Sequence, residues 1–336
     1  MYVSLLVLCC RICVSGAADD VRMHLFMVSV ASCKPRSVHV PIGKLLFKKS
    51  ISKAFICSVR NITLYLQNNY KSVTVTELLN SFEPITLDEM SSIRLMNRTD
   101  VKFVTTKKML ARLLVMAQDN YLIQEIDGRR MASYYTVYFD TEECDMFMVH
   151  HNGRLNRQKL RIRSYVDSSL NFLEVKTKNN HGRTSKQRVA IDNFSPAEPQ
   201  YDVIFDDNRN GRPASCSEFV TSHLKYDINT LKEQIENRFD RITLVNRQKT
   251  ERLTIDLNLR FHNLVTNQDA AFDDIVIIEL KRDGLAFSPV LEMLRQLRIM
   301  PMGFSKYCMG MVKTNSGLKN NRFLQRLRMM EKLRQN

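Results

Sequence analysis

Ionic side chains recur at alternate positions along several segments of the chain. Arg161 and Arg163 flank Ile162, and Glu174 and Lys176 flank Val175. Lys186 and Arg188 stand two apart, Glu279 and Lys281 flank Leu280, and Arg252, Thr254 and Asp256 alternate with Leu253 and Ile255. Arg98, Asp100 and Lys102 repeat the pattern nearer the N-terminus. Successive side chains of a β-strand point to opposite faces, so each segment has one ionic and one apolar face. The bland reading is an antiparallel sheet whose outer face is solvated. Such faces use Thr, Ser, Gln and mixed charges, whereas here six segments carry ionic residues in phase, with bases dominating. Closing the sheet would place this set inside a barrel and the apolar set outside. A cation-filled interior is stable only with an anion in it, because unpaired buried charge is costly. A long, flexible phosphate chain fits that description, and duplex nucleic acid would not enter. Phosphate chemistry commonly needs a divalent cation held by carboxylate and phosphate oxygens. Glu279 is the best candidate ligand, and Glu174 is a second that could equally be a salt-bridge partner.

The elements needed to position these residues follow from periodicity. Short helices are predicted over Thr76–Phe82 and, after a Thr86–Glu89 capping box, to about Leu95. A strand is predicted over 98–105 and an amphipathic helix over 107–126, with Leu110, Leu113, Leu114 and Ala117 on one face. The period then changes to two, which predicts strands at 134–140, 145–151, 157–166, 170–178 and 185–191. Asn152-Gly153 reads as a tight hairpin turn. Residues 195–215 read as a linker or surface loop, and 216–237 as helical. Strands are predicted at 240–248, 251–262 and 274–281, a helix from Ser288-Pro289 to Ile299, a strand near 304–312, and a basic helix over 318–335. The expected architecture is α+β, an antiparallel β-barrel tunnel with helices 107–126, 216–237 and 288–299 packed outside.

Of the 336 residues, 50 are Lys or Arg and 35 Asp or Glu, a formal net charge of +15. A field of that sign attracts polyanions of any kind. Residues 1–70 hold nine of the bases and two of the acids, so nearly half the excess lies outside the patterned region. No Cys/His spacing suits zinc, and Cys144, Cys216 and Cys308 are widely spaced, as in a reduced cytoplasmic protein. Leu5 to Leu8 with Gly16-Ala17-Ala18 resembles a short signal sequence, but no positive charge precedes it and the apolar run is too short to span a bilayer. Residues 1–70 therefore read as an unstructured or non-native extension. Residues 71–97 read as a helical lead-in, 98–315 as the tunnel domain and 316–336 as a basic C-terminal helix. That helix, with Arg326, Arg328 and Lys332, could touch nucleic-acid phosphates but lacks the aromatic interleaving of a single-strand binder.

The ordered segments Arg98-x-Asp100-x-Lys102-Phe103, Val137 to Thr141, His151-x-Gly153 and Lys159-x-Arg161-x-Arg163-x-Tyr165 have counterparts in a known family. Further along come Phe172 to Lys176, Lys186-x-Arg188, Arg247, Arg252 to Asp256, Ile278 to Lys281 and Phe304 to Tyr307. In this order they resemble the VTC domain of polyphosphate polymerases, within the triphosphate tunnel metalloenzyme (CYTH-like) superfamily. The resemblance implies transfer of the terminal phosphoryl group of ATP to a growing polyphosphate chain with a Mn or Mg ion. It implies phosphate contacts at the catalytic centre from Lys102, Arg161, Arg163, Lys176, Arg252 and Lys306. Lys186, Arg188, Arg247 and Lys281 would bind phosphate or nucleotide, and Glu279 and Glu174 the metal. ATP, polyphosphate and a membrane protein for polyphosphate export are the implied partners, and the cytoplasm, in association with a membrane, the implied location. His150 and His151 read as structural. The chain departs from the pattern at Asp100, where many relatives have Glu, and at Met302-Gly303, where some polymerases have a base. A triphosphatase of the same superfamily and a non-catalytic polyphosphate-binding module are the alternatives.

Overall fold

The computed structural model describes residues 74–91, 93, 98–192, 194–201, 216–284 and 286–335, with three strands nearer the N-terminus. The chain divides into two units, Met1–Ser72 and Val73–Asn336. In the first, β1 (Leu6–Val14) pairs antiparallel with β2 (Val21–Ser29), which also pairs with β3 (Arg36–Ser37). The remainder of the extension expected over 1–70, and most of the loop expected at 195–215, lie outside the described residues.

The second unit is built on one sheet. Its main path runs β10 (Thr184–Ala190), β9 (Leu170–Lys178), β8 (Arg157–Tyr165), β7 (Ala132–Thr141), β11 (Leu231–Asn246), β12 (Glu251–Asn263), β14 (Ile275–Asp283) and β5 (Arg98–Thr106). Every pair along it is antiparallel. Three short strands complete the eleven: β13 (Asp269–Phe272) on β12, β6 (Tyr121–Gln124) on β11, and β4 (Glu83–Ile85) parallel to β6. Two capped helices, α1 (Val75–Leu79) and α2 (Leu87–Ser91), flank β4. The second carries the expected box: Thr86 N–H donates to Glu89, and Glu89 N–H donates to the Thr86 hydroxyl.

Alternation divides the sheet as its sequence requires. Phe103, Ile242, Leu244, Leu253, Ile255, Ile278 and Leu280 share one core with α3 (Lys107–Ala117) and α6 (Pro289–Gln296). Tyr135, Val137, Leu160, Ile162, Leu173 and Val175 share another with α5 (Cys216–His223). The apolar set thus faces outward against helices. The ionic set occupies the other face, with Lys102 opposite Glu279, Lys281 opposite Arg252, and Arg161 opposite Glu174. The path ends at β5 and β10 without a ladder between them, so among the described residues the tunnel wall has a seam rather than the closed hydrogen-bonded barrel expected.

Four elements differ from expectation. Residues 145–151 form helix α4 (Asp145–His151), not a strand. The buried Asp140 carboxylate accepts the N–H groups of Met146 and Phe147 at 2.8 Å and caps the helix from the preceding strand. Asn152-Gly153 accordingly ends a helix instead of turning a hairpin. The helix predicted over 107–126 stops at Ala117 and gives way to β6. Helix α5 ends at His223, and the 16-residue β11 takes over from Leu231. Register shifts at 233–235 and 238–240 interrupt its alternation. Finally, 304–312 is not a strand but leads into helix α7 (Lys306–Thr314), buried from Tyr307 to Val312. It packs on β11, β12 and β13. A Cβ on Gly310 would lie 2.4 Å from the Phe261 ring and 2.8 Å from Ile235, so only glycine permits that approach. The last helix, α8 (Asn321–Gln335), buries Phe323, Leu327 and Met330 as expected of a one-sided helix.

Candidate active site

Strand β8 supplies the densest row of cations. Lys159, Arg161 and Arg163 alternate with Leu160 and Ile162, which are buried in the outer core. Arg161 donates to Glu174 through Nε at 2.8 Å and Nη2 at 2.6 Å, and Lys186 from β10 takes the other carboxylate oxygen at 2.9 Å. Glu174 is fully buried, and although burial opposes its charge, Arg161, Arg163 and Lys186 hold its pKa down to about 2. Both its oxygens are therefore committed to cations. The structure places Glu174 as the anchor of this row, not as a free metal ligand.

Arg163 lies beyond that anchor. It is 8 % exposed, its Nε makes no hydrogen bond, and its guanidinium stands 5.6 Å over the Tyr134 ring. Burial first, then the charges of Arg161 and Arg241, lower its pKa. Lys176 opens to solvent within the same trough, yet desolvation of its stem and the Lys102 and Arg161 charges bring its pKa down to about 7. Among the described residues neither Arg163 nor Lys176 has a carboxylate in ion-pair contact.

The opposite wall comes from β11, β12, β14 and β5. Asp256 accepts from Arg241 Nε at 2.6 Å and Nη2 at 2.8 Å and pairs with Lys306 at the start of α7. Burial opposes that carboxylate's charge, but the two cations hold its pKa well below the usual range. The Lys306 ammonium also sits 3.9 Å over the Phe239 ring, and its desolvation lowers its pKa to about 7. Glu279 is held less tightly: its oxygens are 3.7 Å from Lys281 and 4.0 Å from Lys102. Those two cations and Lys176 keep it ionised against burial, at about 2, while burial brings Lys281 down to about 8. Lys176 on β9 thus responds to Lys102 on β5 and Glu279 on β14, and Arg163 on β8 to Arg241 on β11. The two wings of the sheet face one another across a single basic channel.

Lys102, Arg161, Arg163, Lys176, Lys186, Lys281, Lys306 and Glu279 therefore share one field. Arg252 lies opposite Lys281 on the same face, and Arg188 shares the β10 face with Lys186, its guanidinium 4.3 Å over Phe172. Arg247 does not belong to the channel. It sits in the turn after β11, exposed, bonded to the Asp119 carbonyl at 2.8 Å and the Glu83 carboxylate at 2.8 Å. The channel cation of β11 is Arg241 instead, which the sequence reading missed. Its signal was register with Asp256, hidden by the shift at 238–240. Lys159 belongs too, donating to Ser305 Oγ at 2.7 Å. His151 is buried and bonded to Asn321 at 2.8 Å, a structural role.

No group of three or more His, Cys, Asp or Glu side chains among the described residues could hold a metal by itself. A single loosely paired carboxylate such as Glu279 suits a Mg- or Mn-type ion whose remaining ligands are phosphate oxygens and water.

An eleven-stranded, mostly antiparallel sheet with a cation-lined face and helices outside defines a tunnel-type α+β protein. The model of the VTC domain matches residues 97–315, and the chain belongs to that family. No curated protein sequence matches it. Among solved structures, it is similar to a candidate adenylyl cyclase from Hippeastrum with a dominant triphosphatase activity. That protein is 18% identical, with 65% of this chain and 97% of that one covered and a TM-score of 0.40. A candidate adenylate cyclase from Vibrio parahaemolyticus is 8% identical, with 64% and 99% covered and a TM-score of 0.36.

Proposed function

We propose that this chain is a polyphosphate polymerase that moves the terminal phosphoryl group of ATP onto a growing phosphate chain inside the basic channel. The observation that carries this reading is the surplus of channel cations without carboxylates, above all the buried Arg163 and the crowded Lys176. A folded protein retains such charge where an anion completes it. Arg161, Arg163, Arg252 and Lys306 line up the phosphates, and a terminal oxygen of the acceptor chain attacks the γ-phosphorus. The bond to the β,γ-bridging oxygen breaks, and ADP leaves with that electron pair. The cations stabilise charge on the transferring group, which is most of what phosphoryl transfer asks of a protein. Glu279 would hold a Mg or Mn ion, which would neutralise β- and γ-oxygens when bound.

Water is the competing acceptor, and its use would make the protein a triphosphatase. The carboxylates favour a phosphate acceptor: Glu174 and Asp256 are locked by cations, and Glu279 is held ionised at about 2, far from a general base poised near neutrality. The deciding experiment incubates purified full-length protein with ATP and Mn or Mg, with and without a short polyphosphate primer. Chains longer than the primer are expected. Orthophosphate release without chain growth would replace the polymerase with the hydrolase. Binding without turnover would leave a non-catalytic polyphosphate-binding module.

A further inference from the structure

The family match ends at residue 315, but α8 (Asn321–Gln335) packs back against β5. Three consecutive residues before α7 each meet a cation from a different element. The Phe304 carbonyl accepts from Lys102 of β5 at 3.1 Å, and Ser305 Oγ accepts from Lys159 of β8 at 2.7 Å. Gly303 has Arg326 of α8 beside it, Nη2 lying 4.0 Å from where a Cβ would stand. The Arg326 guanidinium rests 5.7 Å from the Phe323 ring. Neither Lys159 nor Arg326 has an ion-pair partner among the described residues, and the nearest carboxylate to Lys102 is Glu279 at 4.0 Å. Ser305 also caps α7, receiving the Cys308 N–H at 3.3 Å, so the positive end of that nine-residue helix opens at the same place. His150, 6.2 Å from Phe323, feels the same cluster: burial and then Lys159, Arg157, Arg326 and Lys102 oppose its protonation.

We propose that Arg326 is a phosphate-contacting residue of the channel, forming with Lys102 and Lys159 a cationic mouth around Gly303–Ser305 that grips inorganic polyphosphate beyond the segment next to Glu279. The contacts run in sequence from Glu279 through Lys102 and Phe304 to Gly303 and Arg326, so this mouth holds the part of a chain that a short triphosphate does not reach. The proposal rests on the channel being a phosphate-chain site.

The test measures binding of long-chain polyphosphate and of tripolyphosphate to the full chain in metal-free buffer. Wild type is compared with Arg326→Gln and with Arg328→Gln, an exposed neighbour on the same helix. Arg326→Gln is expected to weaken long-chain binding about tenfold, the scale of one charge-assisted contact, with Arg328→Gln unchanged. Gly303 is exposed, and a Cβ there would meet only the Arg326 guanidinium at an ordinary contact distance of 4.0 Å, so the double variant Arg326→Gln/Gly303→Lys restores a cation there and should recover the lost affinity. Unaltered long-chain affinity in Arg326→Gln, or a loss that Gly303→Lys does not recover, overturns the proposal alone. Wild type binding neither phosphate chain overturns the proposed function as well.

Discussion

Glu279 and Glu174 occupy one basic field but answer to it differently, because register sets their partners. Glu174 faces Arg161 across one ladder and is clasped also by Lys186, whereas Glu279 keeps its cations at 3.7 and 4.0 Å. Glu279→Gln should therefore reduce turnover by ~10²-fold or more while leaving metal-free tripolyphosphate binding intact or tighter. A steady-state assay paired with calorimetry checks this, and lost binding with unchanged kcat would refute it. Lys176 carries a pH prediction. Its pKa in the empty channel is lowered to about 7, below its unfolded value, so the empty protein loses stability as pH falls toward 7 and regains it at higher pH. Phosphate binds the protonated amine, so affinity for tripolyphosphate falls as pH rises through about 7. Arginine stays charged there, and Lys176→Arg should flatten the profile relative to wild type in the same buffers. Identical profiles would show that Lys176 does not meet the anion.

Among the elements, helix α7 most constrains the channel, because it fills the apolar end of the ionic face and delivers Lys306 to Asp256. Its seat depends on Gly310. Gly310→Ala should lower stability by ~1–3 kcal/mol, read as a lower urea midpoint, with Lys306 displaced and phosphate affinity reduced together. Unchanged stability would mean that Phe261 and Ile235 yield easily. This helix also marks where the sequence became illegible. Period-two alternation over 157–191 and 251–281 correctly separated an ionic from an apolar face, since one side of each strand meets a helix. The apolar run Tyr307 to Val312 is too short to tell a buried strand from a buried helix by pattern, and a cap supplied by Asp140 turned 145–151 helical against its own alternation. Arg247 matched in order but not in place, because a turn residue can sit near a strand in sequence and outside its face in space. Of the ten cations named from the resemblance, Arg247 alone lies off the channel face; Lys159 shared the alternation of Arg161 and Arg163, while Arg241 depended on a register that the shift at 238–240 hides.

At the scale of the molecule, the channel gathers more cations than the carboxylates Glu174, Asp256 and Glu279 hold in ion pairs. Saturating tripolyphosphate, at about a hundred times its Kd, should stabilise the fold by about 2.7 kcal/mol, visible as a raised Tm. The increment should shrink in high salt, which screens the attraction. No rise at any concentration would mean that the channel does not take phosphate chains.

The sheet's path has one more consequence. Strand β5, which carries Lys102, is the first long strand of the second unit, yet its ladder partner β14 ends at Asp283, so their pairing spans most of that unit. During synthesis from the N-terminus, β5 emerges long before anything it can pair with, and its edge waits on a growing chain. The wall that brings Lys102 to Glu279 can form only after about residue 283 has left the ribosome, and α7 must follow. Assembly of the ionic field thus waits until β14 and α7 have both been made, and slow, long-range pairing dominates it.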